Sequence, residues 1–202
     1  MSAPQERPAA PGGPAAPGAG ADTRAGTGAD AGAVVGAHLR AVPDFPVPGV
    51  LFQDITPLLD DPAAFAVVVD ALAALARAAG AQAVAGLEAR GFVLAAPVAQ
   101  RCALPFWPVR KAGKLPPPVL RRSYALEYGT AAVELRGDLV RPGQRVLVVD
   151  DVLATGGTAR AACELLEEAG AHVAAVAVLL ELSALGGRAL LGERPVTALR
   201  TG

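Results

Sequence analysis

The sequence contains few of the residues on which several common kinds of enzyme site depend. It has two cysteines, two histidines and three serines among its 202 residues. No serine lies in a G-x-S-x-G motif, which excludes the nucleophile elbow of a serine hydrolase. Cys102 and Cys163 lack the spacing of a metal site, and we interpret them, with His38 and His172, as structural residues. Sparse, unclustered cysteines are typical of a reduced, cytoplasmic protein.

A large charge imbalance and long apolar runs are also absent. The chain has 18 basic and 19 acidic residues and a formal net charge of −1, which favours neither nucleic acid nor a membrane surface as a partner. The longest apolar runs, such as residues 173–180, are too short to cross a bilayer, and the first residues contain no hydrophobic signal core. We therefore expect a cytoplasmic protein that binds neither nucleic acid nor membrane.

Residues 1–33 differ in composition from the rest of the chain. Ala, Gly and Pro make up 23 of these 33 residues, and none is Val, Ile, Leu, Phe, Tyr or Trp. Such a segment buries too little apolar surface to offset the entropy lost on ordering. We predict a disordered tail over residues 1–33, or equally a start codon assigned too early, followed by a single domain over residues 34–202.

The most informative stretch is Val146–Thr158, which reads V-L-V-V-D-D-V-L-A-T-G-G-T. An apolar strand ends in two acids, and a small-residue loop then opens a helix-forming run at residues 159–169. This order is typical of a ligand site in an open α/β sheet, where loop N–H groups and the helix N-terminus bind a phosphate. Because like charges repel, Asp150 and Asp151 suit hydroxyl groups or a hydrated metal instead. The stretch is neither a Walker A loop nor a dinucleotide fingerprint.

The remaining segments alternate between strand and helix patterns, which predicts a parallel sheet. A capping aspartate and a proline, Asp61-Pro62, start a helix that closes at Gly80. Further helices are predicted at residues 34–42, 92–102 and 185–191, and strands at residues 84–87, 105–110, 124–127, 131–135 and 173–182.

Several of these segments together resemble adenine phosphoribosyltransferases, a branch of the type I phosphoribosyltransferases. Residues 146–158 resemble the motif that binds phosphoribosyl diphosphate throughout that family. G-L-E-A-R-G-F at residues 86–92 and V-R-K-A-G-K-L-P at residues 109–116 are more specific to the adenine branch. The same order and spacing also hold for residues 45–57, 126–130 and 181–188.

The resemblance implies both a fold and a reaction. The fold would be α/β, of the type I phosphoribosyltransferase kind: a central, mostly parallel sheet flanked by helices. A small hood would come from about residues 43–57 and 181–191, and residues 110–118 would form a flexible loop. The reaction would transfer the 5-phosphoribosyl group from 5-phosphoribosyl 1-diphosphate to adenine, giving AMP and diphosphate, a step of purine salvage.

The resemblance also implies roles for individual residues. Glu127 would be the catalytic acid/base. The leaving diphosphate would be stabilised by Arg90, Lys111 and Lys114. The ribose hydroxyls would be held by Asp150 and Asp151. The 5′-phosphate would be seated by Ala154, Thr155, Gly156, Gly157 and Thr158. The base would be held by Leu51, Phe52 and Leu182.

Three further features follow from the same resemblance. Mg²⁺ would be the cofactor, held mainly by substrate and water rather than by protein ligands. The chain would form a homodimer in which Arg110 or Lys111 of one subunit approaches the diphosphate site of the other. The peptide bond between Glu88 and Ala89 would be cis.

Alternatives stay open at several positions. Phe52 is either a staple that holds its segment on the core or one face of an aromatic–base stack. Glu127 is either catalytic or a solvent-facing hairpin residue, and residues 110–118 taken alone equally fit a solvated linker. Family members more often carry Arg or Lys at position 53, so Gln53 leaves the purine selectivity open. The rival functions are transfer to another purine base and a regulator that binds the ribosyl diphosphate without chemistry.

Overall fold

A computed structural model describes residues 30–125 and 129–202 of the chain. A seven-stranded sheet lies at its centre, with the strand order β5-β6-β4-β3-β7-β8-β9. Its strands are β3 (Ala83–Leu87), β4 (Phe106–Lys111), β5 (Leu120–Ala125), β6 (Thr130–Leu135), β7 (Arg145–Leu153), β8 (His172–Glu181) and β9 (Val196–Thr201). Five of these strands, β4, β3, β7, β8 and β9, are parallel. β5 and β6 add an antiparallel hairpin at one edge. The predicted mostly parallel sheet is confirmed.

Helices cover both faces of this sheet. They are α1 (Ala31–His38), α2 (Thr56–Asp60), α3 (Pro62–Ala78), α4 (Arg90–Cys102) and α5 (Gly157–Glu168). On β7, Val146 and Val148 pack in the same core cluster as α5, whereas Leu147 and Val149 pack with α1, α3 and α4. All four side chains are fully buried. Burial on both faces explains why this strand is an unbroken apolar run in the sequence.

The start of α3 confirms the predicted capping signal. The Asp61 carboxylate accepts hydrogen bonds from the N–H groups of Ala63 at 2.9 Å and Ala64 at 3.0 Å. Pro62 occupies the first helical position, where a missing N–H costs nothing. α3 then packs against α4, whose first residue is Arg90.

A small second sheet builds the hood. β1 (Arg40–Val42) pairs antiparallel with β2 (Phe52–Asp54), and two 3-10 turns, Ser183–Leu185 and Gly187–Leu191, form the C-terminal part. Hydrogen bonds from the Thr56 hydroxyl and N–H, followed by those from Arg40, lower the pKa of Asp54 to about 2. The Arg40 guanidinium lies 2.5 Å from an Asp54 carboxylate oxygen. Polar pairs therefore hold β2, which carries Phe52.

The N-terminal boundary differs from the prediction. Instead of a helix over residues 34–42, α1 begins at Ala31, because the Asp30 carboxylate accepts the Gly32 N–H at 3.1 Å and caps it. Residues 40–42 form β1 because they pair with β2. Residues 31–33 thus belong to the folded domain rather than to the predicted tail, and residues 1–29 lie outside the described part of the chain.

Other predicted elements also differ, and β5 begins at Leu120 rather than at residue 124. α4 begins at Arg90 rather than at residue 92, and residues 185–191 lie in 3-10 turns rather than in an α-helix. β9, which pairs with β8 at the edge of the sheet, was not predicted. No described helix is long and apolar enough to span a membrane.

Candidate active site

Four parallel strands bring the predicted binding segments to one edge of the sheet, namely the edge formed by the C-terminal ends of the strands. Because β3, β4, β7 and β8 are parallel, their C-terminal ends lie together. β3 leads into residues 88–90, and β4 ends at Lys111, within the cationic segment of residues 110–118. β7 leads into the phosphate loop at residues 154–158, and β8 into Leu182. The segments predicted to bind diphosphate, phosphate and base therefore start from the same edge.

Asp150 and Asp151 lie at the centre of this edge. The Asp151 N–H donates to Asp150 Oδ1 at 2.9 Å, and Asp151 is only 4% exposed. Burial, followed by the charge of Asp151, raises the pKa of Asp150 well above its usual value, and the charge of Arg90 only partly opposes this. Among the described residues, Asp151 Oδ2 lacks a hydrogen bond of good geometry, although Arg90 Nε lies 2.9 Å away as an ion pair. This buried carboxylate oxygen is available to a ligand hydroxyl or a hydrated cation.

The phosphate loop has the form of an anion site. Gly156 has a φ of +82°, which glycine adopts without steric cost, and α5 begins at the next residue. No side chain described in the structure caps α5, so the N–H groups of its first turn are left for a ligand. A Cβ on Gly156 would collide with the carbonyl of Gly187. The second 3-10 turn of the hood therefore helps to set the shape of this loop.

A second glycine contact fixes the start of α4 against β7. A Cβ on Gly91 would lie 2.8 Å from the Val149 carbonyl oxygen and 3.0 Å from Asp150 Oδ1. Backbone would have to move to accommodate any side chain at this position. α4 thus begins in direct contact with the acid pair, and this places Arg90 beside Asp151.

Glu88 gathers the cationic loop at the end of β3. The Glu88–Ala89 peptide bond is cis, as predicted. The Glu88 carboxylate accepts hydrogen bonds from the Arg110 guanidinium at 3.2 Å and from the Lys111 N–H at 2.8 Å. Burial raises the pKa of Glu88, but these bonds and the charge of Lys114 outweigh it and lower the pKa. The side chains of Lys111 and Lys114 stay exposed at this edge.

Arg90 joins the sheet edge to the hood. Besides its ion pair with Asp151, Arg90 Nη1 donates to the Gln53 carbonyl oxygen at 3.3 Å. Its guanidinium carbon lies 4.8 Å from the centroid of the Phe52 ring, a cation–π contact. The Arg90 guanidinium thus contacts both Asp151, which is predicted to bind the ribose, and Phe52, which is predicted to bind the base. None of these contacts follows from the sequence, because residues 52, 90 and 151 are far apart in it.

The predicted base residues lie in the two parts of the hood. Phe52 is half-buried and meets Phe45 edge-on, with ring centroids 5.0 Å apart. Leu51 is 56% exposed. Leu182 is half-buried, and its N–H donates to the Leu153 carbonyl at 2.9 Å, which holds it beside the end of β7.

The structure thus brings most of the predicted site residues to one edge of the sheet and its hood. Glu127 is the exception, since it lies outside the described residues. Sequence reasoning missed Tyr124, whose hydroxyl lies 3.1 Å from Thr158 Oγ1, and Gly187. The alternation of Arg122 and Tyr124 on β5 is the one sequence signal that both face a common neighbour.

Comparisons with known proteins identify the family. The model of the phosphoribosyl transferase domain matches residues 54–189. An adenine phosphoribosyltransferase of Kineococcus radiotolerans is 75% identical over 169 residues, covering 84% of this chain and 91% of the relative. The crystal structure of adenine phosphoribosyltransferase from Rhodothermus marinus is 43% identical, with a TM-score of 0.81, covering 85% of this chain and 98% of that chain.

A further solved structure carries ligands. It is the Saccharomyces cerevisiae adenine phosphoribosyltransferase in complex with an imino-altritol bisphosphate and adenine. It is 35% identical with a TM-score of 0.81, and covers 85% of this chain and 99% of that chain. The matched domain spans more than half of the chain and includes the acid pair, the phosphate loop and Arg90. From these matches and this geometry it follows that the chain belongs to the adenine phosphoribosyltransferases, within the phosphoribosyltransferase family.

Proposed function

We propose that this chain transfers the 5-phosphoribosyl group of 5-phosphoribosyl 1-diphosphate to adenine, giving AMP and diphosphate, a reaction of purine salvage. One observation carries the proposal: an acid pair lies near the end of a buried strand, next to an arginine, and the loop that follows leads to a helix N-terminus that no described side chain caps. These groups suit the ribose hydroxyls, the 5′-phosphate and the diphosphate of a single substrate. The name shared by the relatives, and the adenine bound in the yeast structure, support adenine as the base.

The chemistry requires little covalent participation by the protein. The bond from the anomeric carbon to the diphosphate oxygen breaks, and its electron pair leaves with the diphosphate. Adenine N9 forms the new bond to that carbon and loses its proton. Because the transition state resembles an oxocarbenium ion, catalysis depends on positioning and on stabilising the charge of the leaving group.

The acid pair and the phosphate loop would position the ribosyl phosphate. The 5′-phosphate would accept hydrogen bonds from the free N–H groups of the first turn of α5, where the helix dipole also favours an anion. Asp150 and Asp151 would accept hydrogen bonds from the ribose hydroxyls. Since β7 is buried on both faces, these groups hold a fixed separation.

The cations at the ends of β3 and β4 would stabilise the leaving diphosphate. Arg90 is paired with Asp151 in the structure, and Glu88 draws the cationic loop towards the same edge. A diphosphate carries more negative charge than either carboxylate. We therefore infer that it attracts Arg90, Lys111 and Lys114 when it binds.

The hood would select the base. Phe52 would stack on adenine, and Leu182 would cover the opposite face of the base, while the backbone near Leu51 would read the exocyclic amine. The Arg90 guanidinium already lies over the Phe52 ring, so adenine would share this ring with a cation. Base binding and diphosphate binding would then meet at one side chain.

Glu127 would act as the acid/base for the adenine N9 proton. It follows β5, which leads towards the phosphate loop through the contact of Tyr124 with Thr158. A positioned acid/base contributes roughly 10²–10⁴-fold in rate, so Glu127→Gln is expected to lower kcat within that range. A rise confined to the KM for adenine would make Glu127 a base-binding residue instead.

Mg²⁺ fits the donors at this edge as a substrate-bound ion. Among the described residues, Asp151 Oδ2 makes an ion pair with Arg90 but no hydrogen bond of good geometry. It and the Asp150 carboxylate are hard oxygen donors, the type that Mg²⁺ prefers. Within the described ranges no group of three or more His, Cys, Asp or Glu residues could hold a metal by itself. When bound to the substrate, Mg²⁺ would neutralise part of the charge of the leaving diphosphate.

Two further features, the oligomeric state and the location in the cell, complete the proposal. We propose that the enzyme is a homodimer in which Arg110 or Lys111 reaches the diphosphate site of the other subunit; an active monomer in sedimentation at assay concentration would contradict this. We also propose a cytoplasmic location, supported by Cys102 and Cys163, which are unpaired thiols in the described structure.

The decisive experiment measures AMP formation from 5-phosphoribosyl 1-diphosphate and a panel of bases. We expect turnover with adenine and diphosphate release in equal amounts, with hypoxanthine, guanine and xanthine at least tenfold slower. Reactions without base or with Mg²⁺ chelated serve as controls. Faster turnover of another purine would replace adenine as the substrate, and binding without turnover of any base would favour the regulator.

A further inference from the structure

The hydroxyls of Tyr124 and Thr158 form a hydrogen bond of 3.1 Å at the entrance to α5. Tyr124 lies on β5, outside the phosphate-binding motif, and Thr158 is the second residue of α5. Both side chains are half-buried. The contact therefore links the phosphate loop to a strand that is otherwise remote from it in sequence.

An anchored strand delivers the Tyr124 hydroxyl to this place. Arg122, two residues earlier on the same face of β5, binds Glu164 of α5 at 2.6 Å and Glu168 at 3.3 Å. Tyr124 is opposite Ala131 on β6, and its ring packs against the core cluster shared with α5. Arg122 thus holds the C-terminal half of α5, and Tyr124 contacts its first turn.

In the structure the Thr158 hydroxyl donates to the Tyr124 hydroxyl, and a bound phosphate would reverse this direction. Each has one hydrogen to donate and two lone pairs that accept. A phosphate dianion offers only acceptors, so Thr158 can bind it only by donating its hydrogen. If Tyr124 donates to Thr158 Oγ1, the Thr158 hydrogen is left for the phosphate.

We propose that Tyr124 is a positioning residue of the 5′-phosphate subsite, donating to Thr158 so that the Thr158 hydroxyl donates to the phosphate. The chain Tyr124–Thr158–phosphate runs in one direction, and a hydroxyl that receives a hydrogen bond becomes a better donor. The inference rests on the proposed function, in which Thr158 seats the 5′-phosphate. It adds to that function a residue from β5.

The first test is Tyr124→Phe, which keeps the ring and removes only the hydroxyl. We expect the KM for 5-phosphoribosyl 1-diphosphate, and the Kd for ribose 5-phosphate measured by calorimetry, to rise by about 3- to 10-fold. kcat and the KM for adenine are expected to stay within about twofold of the parent. An unchanged KM and Kd, with Thr158→Ala impaired, would overturn the role of Tyr124 and leave the phosphate seat standing.

The control Arg122→Gln separates hydroxyl orientation from attachment of the strand. It breaks the ion pairs of β5 with Glu164 and Glu168, but the pairing of β5 with β6 still holds the strand and keeps the Tyr124 hydroxyl in place. We expect a lower Tm with a KM for 5-phosphoribosyl 1-diphosphate within about twofold of the parent. If Arg122→Gln raised this KM as much as Tyr124→Phe does, anchoring of β5 rather than the hydroxyl would explain the effect, and the proposal would fail.

A double-mutant cycle with Thr158→Ala tests the relay itself. Because Tyr124 acts through Thr158, Tyr124→Phe should have no further effect once Thr158 is Ala. If Tyr124→Phe changed the KM by the same factor in the parent and in Thr158→Ala, the relay would be overturned. The assignment of Thr158 to the 5′-phosphate site would still stand. If Thr158→Ala alone left the KM and the Kd at parent values, the phosphate seat would be wrong, and the role of Tyr124 would fall with it.

Discussion

Asp150 and Asp151 lie on a nine-residue strand with parallel neighbours on both sides, whereas Phe52 lies on a three-residue strand with a single partner. We refer to the first region, with the phosphate loop, as the strand half of the site and to the second as the hood half. The strand half is fixed by the complete burial of residues 146–149 of β7 and by backbone contacts at Gly91 and Gly156. The hood half is held by polar pairs such as Arg40 with Asp54 and leaves Leu51 exposed.

The difference in packing indicates that the two halves of the site have different roles. Reacting atoms must be held to within a fraction of an ångström, which a close-packed strand provides. Base recognition tolerates more adjustment, which a small surface sheet allows. Changes in the strand half should therefore impair turnover of the ribosyl diphosphate, and changes in the hood half should impair affinity for adenine.

The largest expected effect is that of replacing both Asp150 and Asp151 with Asn. We expect kcat/KM for 5-phosphoribosyl 1-diphosphate to fall by about 10²-fold or more, because the charge that favours ribose hydroxyls and a hydrated cation is removed while volume is kept. Steady-state kinetics and circular dichroism measure activity and fold. The control Asp70→Asn removes a surface carboxylate paired with Arg101 and should leave activity unchanged. Parent-level turnover in the double variant would contradict the assigned role.

Phe52→Ala should produce the next largest effect, in the other half of the site. Base–aromatic stacking contributes about 1–3 kcal/mol, so we expect the KM for adenine to rise by about tenfold or more. The KM for 5-phosphoribosyl 1-diphosphate should change much less, although the cation–π contact with Arg90 is lost. Phe52→Tyr keeps the ring and serves as the matched control. Equal changes in both KM values would show that the two halves are not separable.

Asp150→Asn alone should increase stability. The pKa of Asp150 is raised in the fold, so its contribution is favourable below its unfolded pKa and is lost as the pH rises through the folded value. The parent should therefore lose stability above about pH 4, and the variant should lose less. We expect the Tm of the variant to lie above that of the parent at pH 7, and the difference to shrink as the pH falls towards 4.

Asp54→Asn in the hood half has the opposite expected sign. Because hydrogen bonds from Thr56 and Arg40 lower the pKa of Asp54 to about 2, its contribution is present above about pH 4 and is lost as the pH falls towards 2. The variant should melt below the parent at pH 7, and the two curves should converge near pH 2. A Tm change of the same sign in the two variants at pH 7, relative to the parent, would refute this contrast.

Deletion of residues 2–29 should have the smallest effect. The composition of this segment predicts no core contacts, so Tm and activity should stay near parent values. Extending the deletion to residue 33 removes the Asp30 cap and the first turn of α1, and should lower the Tm. A fall of more than a few degrees with the shorter deletion would contradict the predicted tail.

The strand half could be predicted from sequence because its residues are contiguous. Residues 146–158 contain the buried strand, the acid pair and the helix start in one run, and burial on both faces makes the strand unmistakable. The cis bond at Glu88–Ala89 followed from the family resemblance. Glu127 stays a prediction, because it lies outside the described residues.

The hood half and the outermost strand, β9, could not be predicted to the same degree. Residues 40–42 continue a helical pattern and become a strand only because they pair with β2. β9 is six residues of mixed polarity with no motif, and its strand conformation comes from pairing with β8. The contacts of Arg90 with Phe52 and Asp151 depend on the tertiary fold, which no local pattern encodes.

The backbone contact between Gly156 and Gly187 limits how the base preference of this enzyme can be redesigned. A Cβ on Gly187 would lie 2.8 Å from the Gly156 nitrogen, so a variant library that randomises position 187 or inserts residues before it would displace the phosphate loop. Leu51 is 56% exposed, Gln53 lies on the separate two-stranded sheet, and Leu182 precedes the first 3-10 turn. We expect a library confined to these three positions to change the base preference with less effect on binding of the ribosyl phosphate.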